Sequence, residues 1–327
     1  MNTTVNGSSC SFLPSTARKI GGTIALCLFL IVSLVGNSFI GIIVYKTQTL
    51  RKPINYFIAN MAVSDLLYPI FVIPLKLTWL YVDSWLISGS VDQVSCKLRA
   101  FLSAVSSIVS VQSLLLIAVD RFGAVMFPLR SPLIRSKLCP FFILVTWIIA
   151  VAVSSPYLFA FKFVAQYAVG KVRSCVPGLY EVMEDSSSYA NYTSALIVVF
   201  IYVPTALLVI IYSAIVIELK TQKIPGEQSN NAEEQRAKRN RNVLKMAIAI
   251  VLGFVLCWVP WSIISLLSFF ALELPCGYYS THYSITRLIS FSNCAINPCI
   301  CFIFSQNYRQ GLKRLLKCFS AVQVGVN

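Results

Sequence analysis

Asp65 is the residue whose placement most demands a chemical explanation, because it sits inside the apolar run Asn60-Met61-Ala62-Val63-Ser64-Asp65-Leu66-Leu67. An acid in hydrocarbon costs about 2.5–3.5 kcal/mol on insertion scales, so it must face polar partners. Asn37, Ser110, Asn293 and Asn297 fall at matching depth in other apolar runs. Their oxygens, with those of Asp65, suit a small hydrated cation such as sodium or a water cluster. A neutral, protonated Asp65 bonded to an Asn is the alternative. Catalytic chemistry finds no comparable set. The single histidine, His282, stands near the edge of an apolar run with no assigned nucleophile or metal partner, and the 11 cysteines form no thiolate cluster at zinc-ligand spacing, so neither an enzyme nor a metalloprotein is expected.

Seven apolar runs must position these residues, at roughly 20–45, 55–80, 96–126, 138–160, 194–219, 242–270 and 284–304. Each has the roughly 20 residues that a helix rising 1.5 Å per residue needs to cross a bilayer. With 57% hydrophobic and 12% charged residues and a mean hydropathy of +0.74, the chain is a polytopic, all-α membrane protein of seven transmembrane helices. It divides into an N-terminal segment, 1–19, the membrane domain, 20–304, and a C-terminal segment, 305–327.

The net charge of +15 does not point to nucleic acid. Most of the Lys and Arg residues, among them Lys46, Arg51, Lys52, Arg130, Arg135, Lys137, Arg236, Lys238, Arg239 and Lys245, fall in alternate connections, which puts that side in the cytoplasm and the N-terminus outside. Sequons at Asn2, Asn6 and Asn191 all fall on the outer side, as glycosylation requires. No cleavable signal peptide is apparent, and the first span serves as its own signal. The plasma membrane is the expected location. Residues 220–241, with Pro225-Gly226 and Ser229-Asn230-Asn231, read as a solvated inner loop. After the seventh span, Tyr308, Leu312, Leu315, Leu316 and Phe319 recur at helical spacing with cations opposite, a short amphipathic eighth helix on the lipid of the inner leaflet, with Cys318 placed for palmitoylation. No internal repeat relates the two halves, against duplicated transporter plans.

Asp120-Arg121-Phe122 ends the third run on the inner side. Adjacent helix positions point apart, so Arg121 can face the bundle while Asp120 restrains it. Cys96 lies 25 residues earlier, about 38 Å along the helix, and is therefore outside, where Cys175 of the long second outer loop is its natural partner. Cys10 and Cys276, the other two outer cysteines, form a second candidate pair. Pro204, Pro260 and Pro298 each remove a backbone bond within a span and allow a kink.

The set resembles the rhodopsin-like (class A) G protein-coupled receptors. The resemblance covers about residues 20–318 and rests on Gly36-Asn37, Asp65 in its setting, Cys96, Asp120-Arg121-Phe122 with Pro128-Leu129, Trp147, Cys175, Pro204, Tyr212, Phe254 with Cys257-Trp258-Val259-Pro260, and Asn297-Pro298. It implies a cell-surface receptor that takes an extracellular ligand among the outer halves of its helices and swings the sixth helix outward. A heterotrimeric G protein then meets Arg121. Asp120, Arg121, Tyr212, Phe254, Trp258, Pro260, Asn297 and Pro298 carry coupling and activation in this reading, with Val111 beside the switch. Two departures stand out: Cys301 replaces the Tyr that usually ends the seventh-helix motif, and Asn240 stands where some members place an acid that holds the Arg.

Ser103 occupies the place where amine receptors carry an Asp, which disfavours amines, and Phe291 stands where visual pigments carry their retinal lysine. The outer cavity instead offers Lys76, Arg99 and Arg287 with Trp79, Trp261, Ser265, Phe291 and Tyr283, a set suited to an anionic ligand with apolar parts. Pairing of these cations with Asp83, Asp92 or Glu273 is the competing reading. The resemblance leans to the peptide-receptor branch, and Glu181, Glu184 and Asp185 of the second outer loop could meet a basic peptide, so the ligand's charge stays open. A small carboxylate or lipid-like ligand, or a non-coupling decoy, is the alternative.

Overall fold

Lipid offers the backbone no hydrogen-bond partner, so apolar sequence of spanning length closes its own bonds as helix. The computed structural model describes residues 16–81, 90–127, 132–166, 172–177, 186–221, 231–269 and 276–324. Among these, six helices are long and apolar enough to cross a membrane: Lys19–Lys46, Pro53–Thr78, Gln93–Met126, Ser136–Phe159, Ala190–Leu219 and Asn242–Leu267. The pair His282–Phe291 and Asn293–Phe304, bent by 43°, makes a seventh as one broken span. All seven match the apolar runs of the sequence to within about one helical turn.

The third span is the hub, packed against the second, fourth and fifth. Ser103, Ser106, Ser110 and Ser113 run down it at alternating three- and four-residue spacing, all buried. Such a stripe of small side chains lets neighbouring helices approach and supplies hydroxyls to their polar groups. The first span packs on the second and seventh.

The prolines act in three different ways. Pro298 has no N–H for the carbonyl of Cys294, and the Nδ2 of Asn37 donates to that oxygen instead, at 2.9 Å. Gly36 permits the approach, since a Cβ there would stand 2.6 Å from Pro298 Cβ. Pro260 lies inside the long sixth helix. Pro204, expected to kink a span, follows a π-helical turn, Val198–Tyr202, at the head of helix Val203–Thr221. A second π-helical turn, Tyr68–Val72, contains Pro69 and breaks the second span between Pro53–Asp65 and Ile73–Tyr81. Hydrophobic periodicity does not distinguish one wider turn from an α turn, so neither was legible in the sequence.

Two connections differ from expectation. The inner stretch read as loop over 220–241 becomes helix from Asn231, and the sixth helix runs Asn231–Phe269. Ala232, Glu233, Glu234, Gln235, Arg236, Ala237 and Lys238 are all good helix formers, with Glu234 four residues before Lys238. In the second outer loop, β1 (Phe161–Gln166) pairs antiparallel with β2 (Val172–Pro177), placing Phe163 opposite Cys175. The C-terminal helix, Gln306–Val324, is longer than the sequence suggested. Its buried face carries Tyr308, Gly311 and Leu315, while Arg309, Lys313, Arg314 and Lys317 are exposed. Asn2, Asn6 and Cys10 lie outside the described residues, as do the side chains of Trp79, Cys175, Asn240, Cys276 and Cys318.

Candidate functional site

Beginning at mid-membrane, Asp65 is 1% exposed and is met by donors from two other spans. Ser110 Oγ donates to Oδ1 at 2.9 Å and Asn297 Nδ2 to Oδ2 at 2.8 Å. Ser64 Oγ lies 3.1 Å from Ser110 Oγ. Asn293 is buried one turn above Asn297. The amide nitrogen of Asn37, also expected in this shell, donates to Cys294 O and to Ser33 O and Oγ. These bonds engage only the amide nitrogen; Asn37 Oδ1, the oxygen expected to face the Asp65 set, is buried with no hydrogen-bond partner among the described residues.

At the inner end of the third span, Arg121 Nε donates to Asp120 Oδ2 at 3.1 Å, and its Nη2 meets the same oxygen. The pair is mostly buried, at 19% and 6% exposure. Tyr212 of the fifth span is buried and close enough to interact electrostatically with both charges. Its hydroxyl has no hydrogen-bond partner among the described residues. Cys301 is fully buried.

Two polar knots were not foreseen as units. Asn60 takes a bond from Trp147 Nε1 at 2.9 Å and donates to Ser113 and Thr146, tying the second, third and fourth spans together. Tyr308 donates to Asn55 Oδ1 at 3.1 Å, joining the C-terminal helix to the foot of the second span. Burial pushes the Tyr308 hydroxyl well above the usual phenol range, so it keeps its proton. The signal for this knot was an apolar-face tyrosine, whose hydroxyl needs a partner when buried.

Between the inner and outer halves, Trp258 stacks at a tilt on Phe254 (centroids 6.3 Å apart) and edge-on to Trp261 (5.7 Å). Phe254 and Val111 are buried here. Outward of Trp258, the guanidinium of Arg287 lies 4.7 Å from the Trp261 centroid and 5.1 Å from that of Phe291, and Nη2 reaches Ser103 Oγ at 3.4 Å. Tyr68, in the unforeseen π turn, bonds Ser103 Oγ at 2.7 Å and packs edge-on to Phe291. Lys76, Arg99 and Arg287 are near enough to repel one another, and Tyr68 and Tyr283 are near Arg99. The indole N–H groups of Trp258 and Trp261 find no acceptor among the described residues. Ser265 donates to the backbone oxygen of Trp261, so its hydroxyl is partly engaged. Cys96 is disulfide-bonded.

The chain matches the family described as 7 transmembrane receptor (rhodopsin family) over residues 36–300. It is 28% identical over 301 residues to a QRFP-like peptide receptor of Branchiostoma floridae, covering 90% of this chain and 78% of that protein. It is 28% identical to a RYamide receptor of Drosophila melanogaster, over 88% of this chain and 61% of the relative. With neuropeptide FF receptor 1 of Homo sapiens it shares 29% identity over 89% of this chain and 68% of the relative.

Proposed function

From the premise that this chain belongs to the rhodopsin family of seven-transmembrane receptors, we propose that it is a plasma-membrane receptor for an extracellular peptide that activates heterotrimeric G proteins. The relatives named above are peptide receptors by name, and they match this chain over most of its length. The observation that carries the coupling reading is the buried Asp120–Arg121 pair at the inner end of the hub span, beside Tyr212. A guanidinium held there by one neighbouring carboxylate can change partner when the sixth helix moves. Phe254, Trp258 and Pro260 are the hinge side of that movement, and Asn297 and Pro298 its counterpart on the seventh span.

The N-terminus faces outside, with Asn191 exposed on that side as a glycosylation site alongside Asn2 and Asn6. The disulfide of Cys96 joins Cys175 in this reading, and the exposed cations of the C-terminal helix lie on inner-leaflet lipid, where Cys318 takes a palmitoyl chain. The oxygens around Asp65 suit a sodium ion, with Asn37, Ser110, Asn293 and Asn297 as the rest of the set, since hard oxygen donors are what such a cation takes.

G protein subunit dissociation in cells expressing the chain, across several alpha-subunit classes and a peptide library, tests the proposal. A peptide response that Arg121→Ala abolishes at equal surface expression is expected. A response untouched by Arg121→Ala refutes coupling through this site and favours the decoy reading.

A further inference from the structure

The corner where the first two spans meet the C-terminal helix is basic and carries no acid. The sequence holds no Asp or Glu from Met1 to Ser64 or from Leu274 to Asn327. The other inner connections do hold acids: the second begins at Asp120, and Glu218, Glu227, Glu233 and Glu234 flank or lie within the third. Two contacts fix how the corner is assembled. Tyr308 donates to Asn55 Oδ1 at the foot of the second span, and Gly311 lies so close to the first span that a Cβ on it would stand 2.5 Å from Ile43 Cγ2. Lys46 follows Ile43 by three residues and Arg314 follows Gly311 by three, so each stands one turn along the same helix face from that contact. Arg51 lies four residues before Asn55, at the end of the short helix Gln48–Leu50. Lys313 adjoins Arg314, and Lys317 follows Lys313 by one turn. All five side chains are exposed, and none makes an ion pair or a side-chain hydrogen bond among the described residues. Arg309, in contrast, is engaged at the carbonyls of Phe302 and Ile303, which closes the seventh span onto the C-terminal helix. Exposed apolar surface adjoins these cations, from Ile42 and Tyr45 on the first span and Leu316 on the C-terminal helix. The positive-inside rule accounts for cations on this face but not for their gathering at one acid-free joint with apolar surface beside it.

We propose that this corner binds an inner-leaflet phosphoinositide whose inositol ring carries several phosphates, with Lys46, Arg51 and Arg314 on the headgroup and Lys313 and Lys317 beside them. Several negative charges fixed on one ring can meet cations from two separate segments at once, which a singly charged headgroup cannot do. The acyl chains lie along Ile42, Tyr45 and Leu316. This rests on the proposed inner-leaflet placement of this face, and it adds one defined lipid to that general electrostatic contact.

The test is native mass spectrometry of the full-length chain in uncharged detergent micelles. The probes are dioctanoyl phosphatidylinositol 4,5-bisphosphate, dioctanoyl phosphatidylserine and soluble inositol 1,4,5-trisphosphate. The bisphosphate lipid is expected to bind at least about tenfold more tightly than phosphatidylserine. It should also bind more tightly than the soluble trisphosphate, because the apolar surface contributes. Lys46→Gln combined with Arg314→Gln should weaken its binding at least about tenfold. Arg135→Gln combined with Lys137→Gln removes the same charge from exposed positions elsewhere on the inner side and should change binding by less than about twofold. Arg51→Gln with Lys313→Gln tests the same corner should the first pair fail to fold. Equal binding of the bisphosphate lipid and phosphatidylserine, equal weakening by the corner pair and the Arg135–Lys137 pair, or no lipid bound to a folded chain overturns the proposal. A soluble trisphosphate that binds as tightly as the lipid overturns the lipid assignment. The measurement needs neither peptide nor G protein, so a chain that binds the lipid but does not signal sinks the coupling proposal alone. Micelles have no inner side, and a C-terminal epitope tag tests the orientation separately. It should be reached by antibody only in permeabilised cells; a tag reached in intact cells sinks the orientation and with it the inner-leaflet source.

Discussion

The two sides of Trp258 handle buried charge in opposite ways. Inward of it, each buried acid is answered by donors: Asp65 by Ser110 and Asn297, Asp120 by Arg121. Outward of it, Lys76, Arg99 and Arg287 lie near one another, and Arg287 rests on the faces of Trp261 and Phe291 and near Ser103 Oγ. A satisfied polar cluster holds helices in register and costs free energy to disturb, whereas a cluster of like charge raises the energy of the state that contains it. The inner acids are thus held by donors within the bundle, while outward of Trp258 like charges on three spans lie near one another. Trp258 touches both regimes through Phe254 and Trp261, which is where a ligand-induced change would have to pass.

The largest expected difference between the halves is in stability. Asp65→Leu leaves the Ser110 and Asn297 donors without their acceptor, at about 1–3 kcal/mol each, and should lower the Tm of the purified chain by many degrees. Arg287→Gln removes a repulsive partner of Lys76 and Arg99 and should leave Tm unchanged or raised. Differential scanning fluorimetry of the two variants side by side decides this. Equal losses would break the contrast.

Next in size is the helix contact beside the inner cluster. Gly36→Ala adds a Cβ that would stand 2.6 Å from Pro298 Cβ, a ring atom that cannot rotate away. Overpacking of this kind costs about 1–3 kcal/mol, and it also pulls Asn37 from the Cys294 carbonyl that Pro298 leaves open. Gly311→Ala meets Ile43 Cγ2 at 2.5 Å, but an isoleucine end can shift, so the loss should be smaller. Matched thermal unfolding of the two variants ranks them, and a larger loss at Gly311 would show that the first and seventh spans are less tightly registered than the first span and the C-terminal helix.

Much of this was legible before any coordinates. Asp65 announced its surroundings because a charge in lipid must be met, and Ser110 and Asn297 were among the groups named for it. The seven spans followed from run length. What escaped was set by geometry that composition does not encode. The π turn at Tyr68–Val72 brings the Tyr68 hydroxyl to Ser103, and nothing in Leu67-Tyr68-Pro69-Ile70 distinguishes it from a plain proline-containing helix. The bond from Asn37 Nδ2 to Cys294 O also escaped, since that carbonyl is open only because Pro298 lies four residues on. The three outer cations were already grouped in the sequence, but the contacts of Arg287 with Trp261, Phe291 and Ser103 required the bundle.

A smaller effect is expected at the foot of the bundle. Tyr308→Phe removes the bond to Asn55 Oδ1 and should cost about 1 kcal/mol. Because Cys301 supplies no hydroxyl at the end of the seventh-span motif, Tyr308 is the phenol that ties this region to the second span. If the tie restrains the inactive arrangement, Tyr308→Phe should raise ligand-free G protein turnover several-fold at matched surface expression. Unchanged turnover with lowered Tm would make the knot purely structural.

The finest test concerns Arg121, whose one hydrogen-bond partner among the described residues is Asp120, in contrast to the doubly bonded Asp65 above it. Asn240, on the inward extension of the sixth helix, is where an acid would give Arg121 a second inactive-state partner. An ion pair at a solvated helix end contributes about 0.2–1 kcal/mol, which at most is about a fivefold shift between two conformations. Asn240→Glu should therefore reduce basal G protein turnover by up to about fivefold while leaving the maximal peptide response nearly intact. The control is Asn240→Gln, which keeps the length without the charge and should change nothing. If both variants match the parent, Asp120 alone already holds Arg121, and the inner rim is as self-sufficient as the cluster at Asp65.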